Sequence, residues 1–110
     1  MSAQDEVLER ARAAYTRSRW DEARTALQEA DAEHPLEAED LERLAWSCRW
    51  AGDPGAFLDA LERAETAFVA ADHLAGAARM ALGQARQHAI LLDSAVALTC
   101  CVRATEYLTG

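Results

Sequence analysis

Residues 18–35 read SRWDEARTALQEADAEHP. An aromatic and two acids, Trp20-Asp21-Glu22, lead into Ala23, Leu27 and Ala30, which fall on one helical face. Pro35 ends the run, because the residue before a proline is driven out of helical conformation. The spacing predicts a helix over 21–33. Just upstream, DEVLERARAAYTRS places Val7, Leu8, Ala11, Ala14 and Tyr15 at the same period, which predicts a helix over 5–17. The gap between the two is so short that they are expected to fold back as an antiparallel hairpin.

The unit recurs. Shifted by 34 residues, Val7 meets Leu41, Ala11 meets Ala45, Ala14 meets Cys48, Leu27 meets Leu61 and Ala30 meets Ala64. Small residues land on small ones and large apolar residues on large ones, in both halves of the unit. The second unit carries its own punctuation in AGDPG at 51–55. Gly52 stops a helix, Asp53 caps the next and Pro54 occupies its first position, so a helix over 54–71 follows. A third pair is expected near 74–88 and 94–108, with Leu61 and Ala64 answered by Cys101 and Ala104 at an offset of 40. Its connection reads as longer and more apolar, without the Gly-Asp turn. The expectation is one all-α domain over 1–110, with repeats over 4–35, 37–71 and a degenerate third over 73–108.

Composition agrees. Half of the 110 residues are apolar but only 6% are aromatic, and 26 are alanine, the strongest helix former and the one that lets helix backbones approach. The net charge of −8 argues against a phosphate-backbone footprint, so no direct nucleic-acid partner is expected. All eleven basic residues are arginine, and any mechanism needing Lys or Asn is excluded. Cys48, Cys100 and Cys101 are odd in number and two are adjacent, a poor disulfide framework. The N-terminal run is charged and no apolar stretch is long enough to span a bilayer, so a reducing cytoplasm and no membrane are expected.

The residues AAY, RWDEA, Glu29-Ala30 and Pro35 in the first unit, and LAW, AGD and Arg63-Ala64 in the second, resemble the tetratricopeptide repeat. The pattern departs at Phe57, where Ala is usual, and no proline follows the second unit. The longer run from RWDEA through PLEAEDLERLA and ALERA to RMAL is similar to the helical-repeat regions of bacterial LuxR-type regulators and of repeat-bearing nucleotide cyclases. The resemblance implies three antiparallel hairpins stacked as a short right-handed superhelix, an α-α solenoid. It also implies a scaffold or sensor module that binds a protein or peptide, or the output domain of its own regulator.

In such a stack the first helix of each hairpin lines the concave face. Helical spacing then nominates Arg12, Glu42, Trp46, Arg49, Trp50, Gln84, Gln87 and His88 for partner binding. Trp46 and Trp50 share a face with Arg49 beside them, the composition of a binding hot spot. Packing between hairpins is the competing role, weighted toward Trp50, whereas Trp20 sits at the aromatic position after the turn and is structural. A second expectation is a small self-associating protein that uses Leu98, Val102 and Leu108 of an uncapped last helix as a homodimer interface. His34, His73 and His88 have no partner at ligand spacing, so neither metal nor cofactor is expected. Glu37, Glu39, Asp40 and Glu42 read as helix-start acids that suit the dipole. No phosphate loop, nucleophile elbow or Cys/His pair is present, and enzyme is the least favoured class.

Overall fold

The computed structural model describes residues 2–109. Among these it holds six α-helices and no strand: α1 (Ala3–Thr16), α2 (Trp20–Glu33), α3 (Ala38–Trp50), α4 (Pro54–Ala70), α5 (Leu74–Ile90) and α6 (Ser94–Thr109). The contacts divide into two units, Met1–Ala60 and Leu61–Gly110, with the division falling inside α4.

In the first unit α1 opens with a capping box. The Asp5 amide donates to Ser2 Oγ at 3.2 Å, and the Ser2 amide donates to Asp5 Oδ2 at 3.2 Å. The pairing of α1 with α2 is antiparallel. Gln4 Nε2 at the start of α1 donates to the carbonyls of Ala30 (3.2 Å) and His34 (2.9 Å) near the end of α2. At the other end Tyr15 meets Trp20 edge-on, ring centres 5.4 Å apart. α3 returns along α2 and closes its second side, with the rings of Trp20 and Trp50 6.4 Å apart. Ala11, Ala23, Leu27 and Ala45 are sealed from solvent. Alanine at these positions lets the helices lie close, and burying Leu27 contributes about 2 kcal/mol.

In the second unit α5 and α6 are antiparallel: Ala78 and Ala81 of α5 pack on Ala104 of α6, with Tyr107 lying against them. Gly76 is dictated by packing. A Cβ there would sit 2.5 Å from Phe68 Cδ1 and 2.6 Å from His73 Nδ1. The same His73 Nδ1 caps α5 by accepting the Gly76 amide at 3.0 Å.

Four of the five connections are one device. Ser18, Gly52, Asp72 and Leu92 each adopt positive φ, at 59°, 84°, 57° and 62°. The residue after each returns its amide to a carbonyl five residues back: Arg19 to Ala14 (2.9 Å), Asp53 to Cys48 (2.9 Å), His73 to Phe68 (2.8 Å) and Asp93 to His88 (2.8 Å). This is the Schellman closure, which satisfies carbonyls the helix end leaves over. The expected longer connection before α6 is therefore corrected. Residues 91–93 form the same three-residue turn as 51–53, with Leu92 standing where Gly52 stands. The N-cap acid is retained, since the Val96 amide meets Asp93 Oδ1 at 3.4 Å as the Ala56 amide meets Asp53 Oδ1 at 3.1 Å.

Candidate functional site

The first unit holds the aromatic group nominated from sequence. Trp46, Arg49 and Trp50 fall at i, i+3 and i+4 on α3, and the Arg49 guanidinium lies 5.8 Å from the Trp46 ring, 5.3 Å from Trp50 and 5.5 Å from Phe57. Phe57 is 1% exposed and lies in the core. Trp46 packs on it, ring centres 5.3 Å apart, and is half-buried. Trp50, the last residue of α3, has no such partner from the core and is 58% exposed. That reverses the sequence weighting, which favoured packing more for Trp50 than for Trp46. A cation over an exposed ring contributes about 0.5–1 kcal/mol, so Arg49 holds the Trp50 indole in place at modest strength.

Arg12 is engaged within the fold rather than open to a partner. It binds Asp40 bidentately, Nε to Oδ1 at 3.1 Å and Nη2 to Oδ2 at 2.7 Å. Arg43 adds Nη1 to Oδ1 at 2.8 Å. Asp40 is 3% exposed, so it is a buried anchor between α1 and α3 and not only a helix-start acid. Sequence reasoning missed this because the partners lie 28 residues apart. Glu42, on the same helix, is half-buried.

In the second unit the expectation that Gln84 and Gln87 face outward is corrected. They are 3% and 8% exposed, because α6 covers that side of α5. His88, one residue on, is half-buried. Gln84 belongs to a polar cluster centred on Glu65. Gln84 Nε2 donates to Glu65 Oε1 at 2.7 Å, and Arg103 donates Nε to Oε2 at 2.6 Å and Nη2 to Oε1 at 3.0 Å. The Tyr107 hydroxyl donates to Oε2 at 2.5 Å, and Arg103 Nη2 also reaches Gln84 Oε1 at 3.1 Å. Burial alone would raise the Glu65 carboxyl, but the bonds from Arg103, Tyr107 and Gln84 outweigh it and hold the pKa below the ordinary value. Burial and the bond to Glu65 push the Tyr107 phenol up. None of Glu65, Arg103 and Tyr107 was nominated from sequence. A lone acid on the buried face of α4 was the available signal.

Leu98, Val102 and Leu108 are 66%, 51% and 63% exposed. A shallow groove of about 380 Å³ runs beside them, lined by Leu98, Thr99, Val102, Arg103 and Glu106. Cys101 is exposed, while Cys100 is buried with its sulfur 3.7 Å from Arg103 Nη2. Cys48 is also buried, which pushes its thiol up. Among the described residues, no group of three or more His, Cys, Asp or Glu could hold a metal ion. No helix among them is long and apolar enough to cross a membrane.

Comparison with protein-family models and with curated proteins finds no match to this chain. The functional reading therefore rests on these surfaces.

Proposed function

We propose that the chain is a protein–protein interaction module built of tetratricopeptide-like hairpins, that its docking surface is the outer face of α6, and that a second copy of the chain occupies it. The carrying observation is the exposure of Leu98 and Val102, four residues apart on one face of α6, with Leu108 exposed further along the helix and about 120° round from Val102. α2 has neighbours on two sides, α1 and α3, whereas this side of α6 is open among the described residues. An exposed apolar stripe of this kind is the usual mark of an interaction surface.

Charge favours a second copy as the occupant. The chain carries −8, so two copies repel over most of their surfaces. From Ser94 to Thr109, α6 offers only Arg103 and Glu106 as charged residues, of opposite sign. A two-fold arrangement sets the same apolar residues against each other. A helix of 16 residues is about 24 Å long, so the pair buries less than a standard interface and a weak, reversible dimer is expected.

Sedimentation equilibrium at several concentrations tests this, with Leu98→Glu and Val102→Glu as variants. The expected outcome is concentration-dependent dimerisation that both variants abolish while helicity is kept. A strict monomer at every concentration overturns the second copy as occupant.

A second reading rests on Trp50. Its exposed indole, backed by Arg49, suits a peptide or the output domain of a larger regulator. Amide shifts along α3 rather than α6 on adding a candidate partner, lost in Trp50→Ala, would favour that reading.

A further inference from the structure

The geometry points to a second site in the first unit: a groove between α1 and α2 that binds a compact, multiply charged oxyanion, the phosphate or carboxylate groups of a small molecule. Arg10, Ala13, Ala14 and Arg17 fall at i, i+3, i+4 and i+7 and share one face of α1. Arg19, Glu22 and Ala26 line the facing side of α2, and together the two faces enclose about 300 Å³. That is the lower end of the range for small-molecule sites.

Three features separate this groove from an ordinary solvated face. The first is sign. Three arginines and Glu22 line it, and with Glu29 beside Arg10 the local charge is +3 − 2 = +1, in a chain whose net charge is −8. The second is that these arginines are weakly engaged, unlike Arg12 or Arg103. Arg10 reaches Glu29 at 3.8 Å and Arg19 reaches Glu22 at 3.7 Å. All four of those side chains are more than half exposed, where ion pairs contribute little. Arg17 is exposed and makes no ion pair among the described residues. The third is the start of α2. Its N-cap is Arg19, whose side chain makes no capping bond, so the first-turn amides of α2 take no side-chain acceptor from the cap residue.

The three alanines decide what fits. With no side chain beyond Cβ, Ala13, Ala14 and Ala26 let a ligand approach the helix backbones while the guanidinium groups close over it from the rim. Guanidinium matches carboxylate and phosphate oxygens two at a time, which an ammonium does not. The volume suits a molecule the size of citrate or pyrophosphate and is too small for an extended polymer.

The test is an NMR titration of the full chain with pyrophosphate and, separately, with citrate, at constant ionic strength set by chloride. Expected are saturable amide shifts confined to residues 10–26. Arg17→Gln should weaken binding about tenfold, the loss of one charge-assisted bond pair. Glu22→Gln should strengthen it by removing the rim carboxylate. Arg86→Gln, an exposed arginine on α5, should change nothing. Saturation by pyrophosphate alone assigns a phosphorylated ligand, by citrate alone a polycarboxylate, and by both a site selective for charge; each supports the proposal. Shifts that never saturate, that spread over all arginines equally, or that keep the same affinity in Arg17→Gln overturn it. Because Arg17 is exposed and unpaired, its loss leaves folding intact and the result can be read.

Discussion

Both units bury a carboxylate under arginine, and they hold it differently. Asp40 takes two guanidinium groups, Arg12 from α1 and Arg43 from its own helix, and both arginines keep much of their surface in water. Glu65 takes one, Arg103, and completes its shell with the Gln84 amide and the Tyr107 hydroxyl. The first arrangement is redundant in charge. The second is satisfied in hydrogen bonds but has a single counter-charge. A buried ion whose counter-charge is removed costs far more than a surface pair contributes, so redundancy decides how each unit tolerates damage.

The largest expected effect follows directly. Arg103→Ala leaves Glu65 buried and uncompensated, and should cost about 3 kcal/mol. Arg12→Ala leaves Asp40 with Arg43 still 2.8 Å away, and should cost about 1 kcal/mol. Chemical denaturation gives the totals, and amide exchange in α1 and α2 against α5 and α6 assigns each loss to its unit. Equal costs for the two substitutions would sink the redundancy argument.

Acid sharpens the contrast. The folded-state pKa of Glu65 lies below its ordinary value of 4.5. A depressed carboxyl contributes stability that is fully present above the unfolded-state value and is lost as pH falls through the folded-state value. Stability of the second unit should therefore be level with respect to Glu65 near neutrality and fall below about pH 4.5. Glu65→Gln should be less stable at neutral pH and lack that part of the acid loss. The measurement is denaturant midpoint against pH for both proteins. Parallel curves would show that Glu65 does not drive the acid response.

The same contrast explains how much was legible in the sequence. The helices were readable because periodicity, Pro35, Gly52 and the Asp53–Pro54 start are local signals, and all six appear within a few residues of where the spacing put them. The exposure of Leu98 and Val102 on α6 follows from the same local spacing. The polar anchors were not. Asp40 and Arg12 lie 28 residues apart, and Glu65 and Arg103 lie 38 apart. Helical spacing along one element says which face a residue occupies, not which neighbour covers it. Gln84 shows the error this produces. It looked like an outward polar residue on α5, but α6 covers it and it binds an acid that belongs to α4. The Arg10–Arg17–Arg19 groove escaped because its residues come from two helices, and each looked like solvated charge.

The turns hold the smallest effect and a finer version of the comparison. Gly52 and Leu92 occupy the same position of the same closure, at φ 84° and 62°. Glycine adopts that region freely, whereas a leucine there pays roughly 1 kcal/mol in backbone strain. Leu92 is 89% exposed, so no burial compensates for it. Replacing it with glycine relieves the strain and adds some unfolded-state entropy, which leaves a gain of about 0.5 kcal/mol. Gly52→Ala runs the other way, by about 1 kcal/mol, although no atom lies within 4 Å of the added methyl. Thermal unfolding of the two variants tests the pair. If Leu92→Gly destabilises the chain instead, the unfolded-state entropy that glycine adds exceeds the strain that it relieves.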